Sequence, residues 1–177
     1  GLDPTEVTDR LRLALIERTG RETISAWEQH LADAEDPAER LRRLINDNPM
    51  VAERGRYAYR VFLQAISEVD DPVIHDALRT HIKSLHAFLV DELKPFIDAQ
   101  YRTRPGREDT FIMGSSLGGL ISLYAAAQHP DVYGGVGAVS THWPNNDGAM
   151  VDWFGAHLPD PRTHRLWFDH GTATLDA

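Results

Sequence analysis

Thr110–Pro130 reads TFIMGSSLGGLISLYAAAQHP, and three kinds of structure follow one another inside it. Thr110 to Met113 is a short apolar run of strand character, bounded by Glu108-Asp109 before it. Gly114-Ser115-Ser116-Leu117-Gly118-Gly119 is a glycine-rich corner, and LISLYAAAQHP reads as a helix that ends before Pro130. Strand, G-x-S-x-G and helix in that order form the setting of a nucleophile elbow, in which a serine sits on a strained turn at the tip of a strand. The residues two before and two after that serine are expected to be tiny, and Gly114 and Gly118 fill those places. The same glycine register selects Ser116 over Ser115. The helix dipole and the amide of Leu117 are then expected to face an oxyanion formed when the Ser116 hydroxyl attacks a carbonyl. A serine that merely caps the helix is the plainer alternative.

Working outward, Gly134 to Ser140 and Arg165 to His170 read as two further strands. With the first near 109–113 they make a three-stranded parallel sheet, joined by right-handed crossovers through helices at about 116–128 and 146–157. Residues 1–90 carry a different texture. Ten of the 13 glycines lie in 91–177, whereas twelve of the 18 basic residues lie in 1–90. Helical spacing places Val7, Leu11, Ala14 and Leu15 on one face of a helix over about 5–18, with Gly20 as its stop. A second helix, about 21–34, carries Ile24, Trp27 and Leu31. Asp36-Pro37-Ala38-Glu39 is a start signal, with proline in the first helical position where its missing N–H costs nothing. The helix it opens is expected to bury Leu41, Leu44 and Ile45. Another helix over about 50–68 has Tyr57, Val61, Phe62, Ala65 and Ile66 inside. Asp71-Pro72 repeats the start signal for a helix burying Val73, Ala77, Leu78, Ile82, Leu85, Phe88 and Leu89. Pro95 is expected to kink or cap its far end. The fold class expected is therefore α/β and helix-rich, with all-α helices over 1–90 followed by an incomplete α/β core over 91–177.

Composition excludes several functions. The net charge of −9 disfavours a nucleic-acid-binding surface, which needs clustered positive charge. No apolar run approaches a membrane span. There is no cysteine, so disulfides, thiolate metal sites and a cysteine nucleophile are excluded. His75, His81 and His86 share a helix, but their spacing does not align them as a metal pair. No motif calls for a metal or an organic cofactor. The chain opens on Gly1 without a signal-peptide pattern, which allows for a removed upstream segment. A cytoplasmic protein is the expectation.

Two family resemblances rest on these words. Residues 1–90, through LALIERTGRETISAWEQHL, DPAERLRRLI and RYAYRVFLQAISEVDDPVIHDALRTHIKSLHAFL, resemble the C-terminal ligand-binding region of TetR-type transcription regulators. That implies a pocket for a small apolar molecule and a dimer interface, without the DNA-binding part. Residues 88–177, through VDELKPFIDAQYRTRPGREDTFIMGSSLGGLISLYAAAQHPDVYGGVGAVSTHWP, resemble the esterase branch of the α/β-hydrolases, the group of S-formylglutathione hydrolase, the mycolyl-transferring antigens and siderophore esterases. This resemblance implies a serine hydrolase of small acyl esters or thioesters, with Ser116 as nucleophile and Leu117 as an oxyanion donor. It places the acid of the triad at Asp176, with Asp169, read as lying within the last strand, as second choice.

The family's catalytic histidine and its first strands have no counterpart in these residues, so impaired catalysis is expected. His142, in STHWP, is expected to lie near Ser116 without occupying the family's position. Trp143 and Trp153 line an acyl pocket or pack. The two resemblances meet inside one helix, at 72–99, which reads as a chimera. The edge of the 109–113 strand is left unpaired, and a homodimer or other self-association is expected from it.

Overall fold

The computed structural model describes residues 3–32, 36–46, 72–143 and 148–171. The chain divides into two compact units, Gly1–Tyr101 and Arg102–Ala177. The helix expected at 50–68 and the arginines Arg54, Arg56 and Arg60 lie outside the described residues.

The first unit is helical. α1 (Pro4–Ala32) is one unbroken helix where two were expected. Gly20 is not a stop. It lies on the buried stripe, where an added β-carbon would stand 2.5 Å from the Nδ1 of His81. Arg18 and Glu22 (2.7 Å) and Arg21 and Glu17 (3.6 Å) pair across it on the solvent side, at the i,i+4 spacing that supports a continuous helix. The stripe that α1 buries is Ile16, Gly20 and Thr23, with Trp27 partly buried beyond them. Val7, Leu11 and Ala14, expected inside, are exposed.

α2 (Pro37–Asn46) starts where Asp36-Pro37 announces it: the Asp36 carbonyl accepts the first helical bond, from Arg40. It buries no residue, and Ile45, expected inside, is 62% exposed. α3 (Pro72–Ala87) likewise starts at its proline. Its buried stripe is Ile74, Leu78 and His81, with His86 beyond, rather than one through Val73, which is exposed. Ile16, Ile74 and Leu78 form the small core between α1 and α3.

The helix continues past α3 without a break. Phe88–Leu93 is a π-helical segment, and α4 (Lys94–Gln100) follows it. Pro95 has no N–H to give to a carbonyl of the preceding turn. The wider π turn takes up that loss, and Lys94 N–H bonds Leu89 O across it. Phe88 is buried against Trp27, ring centres 5.2 Å apart. None of the described helices is long and apolar enough to cross a membrane.

The second unit is α/β. β1 (Phe111–Ser115), β2 (Gly135–Val139) and β3 (Arg165–Phe168) form a parallel sheet in the order β1-β2-β3. α5 (Leu117–Gln128) connects the first pair and α6 (Ala149–His157) follows β2. β1 extends two residues beyond the expected end, through Gly114 to Ser115. Parallel connections are right-handed, and two of them moving the same way across a sheet put both helices on one face. The core is on that face: Leu120, Leu123, Ala125 and Ala126 of α5, Val136 and Ala138 of β2, and Phe154 of α6 are all buried. Parallel strands usually have both faces covered. Here the odd-numbered positions, Phe111 (52% exposed), Met113 (69%) and Trp167 (53%), stay open. Among the described residues β1 has one neighbour, β2, and its other edge is unpaired.

Candidate active site

Parallel strands bring their carboxyl ends to one rim, and in open α/β sheets ligands bind outside that rim. The register pairs Ser115 with Val139 and Ala138 with Phe168. Ser116, Ser140 and Asp169 are therefore the first residues past the three strands.

Ser116 makes the sharpest turn of the three. Its backbone has φ 57° and ψ −122°, a conformation disfavoured for any side-chain-bearing residue. Four peptide groups hold it there. Its N–H donates to Val139 O at 3.0 Å, and its carbonyl accepts from the N–H groups of Gly119 (3.0 Å), Leu120 (3.4 Å) and His142 (3.3 Å). The side chain is exposed and makes no capping bond to α5. The serine thus occupies the N-cap position without spending its hydroxyl on the helix. Leu117 is the first helical residue, in the turn whose amides have no intrahelical carbonyl partner. α5 adds the positive end of its dipole there.

The glycines of the motif have unequal roles. A β-carbon on Gly114 would lie 2.3 Å from the carbonyl oxygen of Gly118, so the strand and the first helical turn touch backbone to backbone. A β-carbon on Gly118 would meet nothing within 4 Å. The expectation that position 118 must be tiny is therefore corrected. The close approach involves the peptide of residue 118 and not its side-chain direction. Gly119 is the second tight position, because its β-carbon would lie 2.5 Å from Thr141 Oγ1.

The structure brings Ser116 and Leu117 together at the corner. Asp169 does not lie in the strand, as expected, but just after it, because β3 ends at Phe168. Its Oδ1 accepts a hydrogen bond from Ser140 N–H at 2.5 Å. Asp176 is outside the described residues. His142 reaches the corner through its backbone, with the side chain exposed. The two tryptophans join an aromatic cluster. Trp143 packs on Phe154 (6.3 Å) and Phe168 (6.2 Å), and Trp153 packs on Tyr124 (5.3 Å) and stacks flat on His157 (4.2 Å). Sequence reasoning missed Ser140 and Thr141. Counting the parallel register forward from Ser115 would have found them. Ser140 has φ 41°, and the Thr141 hydroxyl is buried with no partner among the described residues.

A family model described as "Putative esterase" matches residues 54–175, more than half of the chain. The chain belongs to this esterase family. The match runs across the 90/91 division and starts inside the stretch for which a TetR-type resemblance was expected, which the match does not show. No curated protein matches the chain, and no solved structure does. Membership of the esterase family supports a hydrolase- or esterase-like reading of the chain. Among the described residues of this esterase-family chain, no group of three His, Asp or Glu side chains could hold a metal ion. A groove of about 730 Å³ between α1 and α3, with the buried His81 in its lining, belongs to the helical unit, and none of the rim residues lines it.

Proposed function

We propose that the protein is a serine hydrolase of the carboxylesterase or thioesterase type, acting on small acyl esters or thioesters. Ser116 Oγ attacks the acyl carbon, and its proton passes to a base. The C–O or C–S bond to the leaving group then breaks, the alcohol or thiol departs with a proton, and an acyl-serine remains. Water attacks that ester, releases the carboxylic acid and restores the hydroxyl. The Leu117 amide stabilises the oxyanion in both halves. Asp176 is the acid by family resemblance.

The observation that carries this reading is the backbone of Ser116. It is held at positive φ by four backbone hydrogen bonds, with an exposed side chain that does not cap the helix. Strain of this kind persists only where the surroundings over-determine it, and it gathers at sites of chemistry.

The test is covalent labelling by a fluorophosphonate. The wild-type chain is expected to take up the probe and Ser116→Ala to take up none. Equal labelling of the two, or none of either, overturns the reading. His142→Ala measured alongside shows whether that imidazole receives the Ser116 proton, by a fall in labelling.

A further inference from the structure

The rim holds a second left-handed residue, which the proposed reaction does not use. Ser140 has φ 41°, a conformation that residues other than glycine adopt only where their surroundings hold them. A carboxylate holds this one. Ser140 N–H donates to Asp169 Oδ1 at 2.5 Å, across 29 residues of sequence. Asp169 is anchored in turn, because its own N–H donates to Ala138 O at 3.3 Å. Bonds to an ionised acceptor are shorter and stronger than neutral ones, which suits a clamp on a strained peptide.

The clamped segment leads to the corner. Two residues beyond Ser140, His142 N–H donates to the carbonyl of Ser116, and just before Ser140, Val139 O accepts from Ser116 N–H. Both peptide groups of Ser116 are therefore tied to the stretch that Asp169 grips. Between them, the Thr141 side chain wedges against Gly119 in the first turn of α5 and contributes no hydrogen bond among the described residues. The placement of this stretch thus comes from its peptide groups, and among the described residues Asp169 supplies the one charged partner they have there.

We propose that Asp169 is a positioning residue for the Ser116 corner. Its carboxylate fixes the backbone of Ser140–His142, and that stretch fixes the two peptide groups of Ser116. The inference rests on reading Ser116 as the nucleophile, and it gives Asp169 no part in proton transfer.

Two variants of the full chain separate position from charge. Asp169→Asn keeps an acceptor oxygen at the same reach and removes the charge. Asp169→Glu keeps the charge and displaces the oxygens by one methylene. Each is measured for its rate of fluorophosphonate labelling and for the Ser140 amide proton in a nitrogen–proton correlation spectrum. The expected order is a small loss of rate in Asp169→Asn, about a few-fold, with Ser140 still shifted downfield, and a larger loss in Asp169→Glu of roughly tenfold to a hundredfold, with Ser140 moved upfield. Any other order overturns the proposal. Retention in the Glu variant with loss in the Asn variant would make Asp169 a charge-bearing participant in catalysis. If the wild-type chain takes no label, the nucleophile reading fails by itself. The Ser140 resonance then still decides the clamp, which is overturned if that resonance is unmoved in Asp169→Glu.

Discussion

Gly20 in the helical unit and Gly114 in the α/β unit both lie where a β-carbon would be too close to a neighbour, but the neighbours differ in kind. At Gly20 the neighbour is the imidazole of His81, a side chain on another helix. At Gly114 it is the carbonyl of Gly118, four residues along the same chain. A side chain can turn aside at some cost, whereas a peptide group inside a hydrogen-bonded corner has nowhere to go. The approach of strand to helix at Gly114 is therefore a local constraint, set by what the backbone permits. The helical contact is dictated by a partner that the local sequence does not contain.

Gly114→Ala puts this difference under the most strain. It is expected to destabilise the α/β unit by about 1–3 kcal/mol, with loss of labelling at Ser116, as read by urea denaturation and probe uptake. A near-neutral result would break the claim that the corner is closed backbone to backbone. Ser116→Gly is expected to move stability the other way, raising it by about 1 kcal/mol in the same measurement, because glycine adopts the φ of 57° with less strain.

Gly20→Ala should cost less than Gly114→Ala, about 1 kcal/mol. The crowding of His81 is partly offset by the gain of alanine over glycine inside a helix, itself about 1 kcal/mol. A larger loss than at Gly114 would reverse the comparison.

The same contact has a pH signature. Burial holds the His81 imidazole below its ordinary pKa. As pH falls through about 6.5, the unfolded chain takes up a proton that the folded chain does not. Stability is therefore expected to fall on acidification from there and to level off below the folded-state pKa, and His81→Gln is expected to remove that part of the slope in thermal melts across pH. The smallest effect is assigned to Gly118→Ala, a few tenths of a kcal/mol with labelling retained, since a β-carbon there meets nothing within 4 Å.

The two units were not equally legible. Helix starts at Pro37 and Pro72 could be read, because a proline preceded by aspartate states its preference within two residues. The faces of those helices were legible only in part: Leu78 and Phe88, expected inside, are buried, whereas Ile45 and Val73 are exposed. The stripe buried between α1 and α3 passes through Gly20, Thr23 and His81, none of which a hydrophobic pattern marks, while Val7, Leu11 and Val73 carry the pattern and are exposed. In the α/β unit the order strand, corner, helix, strand, helix, strand was readable from Thr110 onward, with ends shifted by a few residues. The tight corner at Ser116 was readable too, because its glycines record a backbone constraint. Even there the pattern misassigned one of them. Gly118 stands in the motif, but Gly114 and Gly119 are the positions that a β-carbon would crowd.

By itself, the order of residues from Thr110 to Pro130 determined a strand, a left-handed corner and a helix. The strand and the helix are preferences of neighbouring peptides, whereas the strained corner between them is also held by Val139 and His142, from the end of the next strand. Tertiary structure alone decided that the Asp169 carboxylate meets the Ser140 amide, that Thr141 wedges against Gly119, and that His81 fills the space above Gly20. These pairs are far apart along the chain. Parallel register and helix packing bring them together, and a register is a property of paired elements that neither element carries alone.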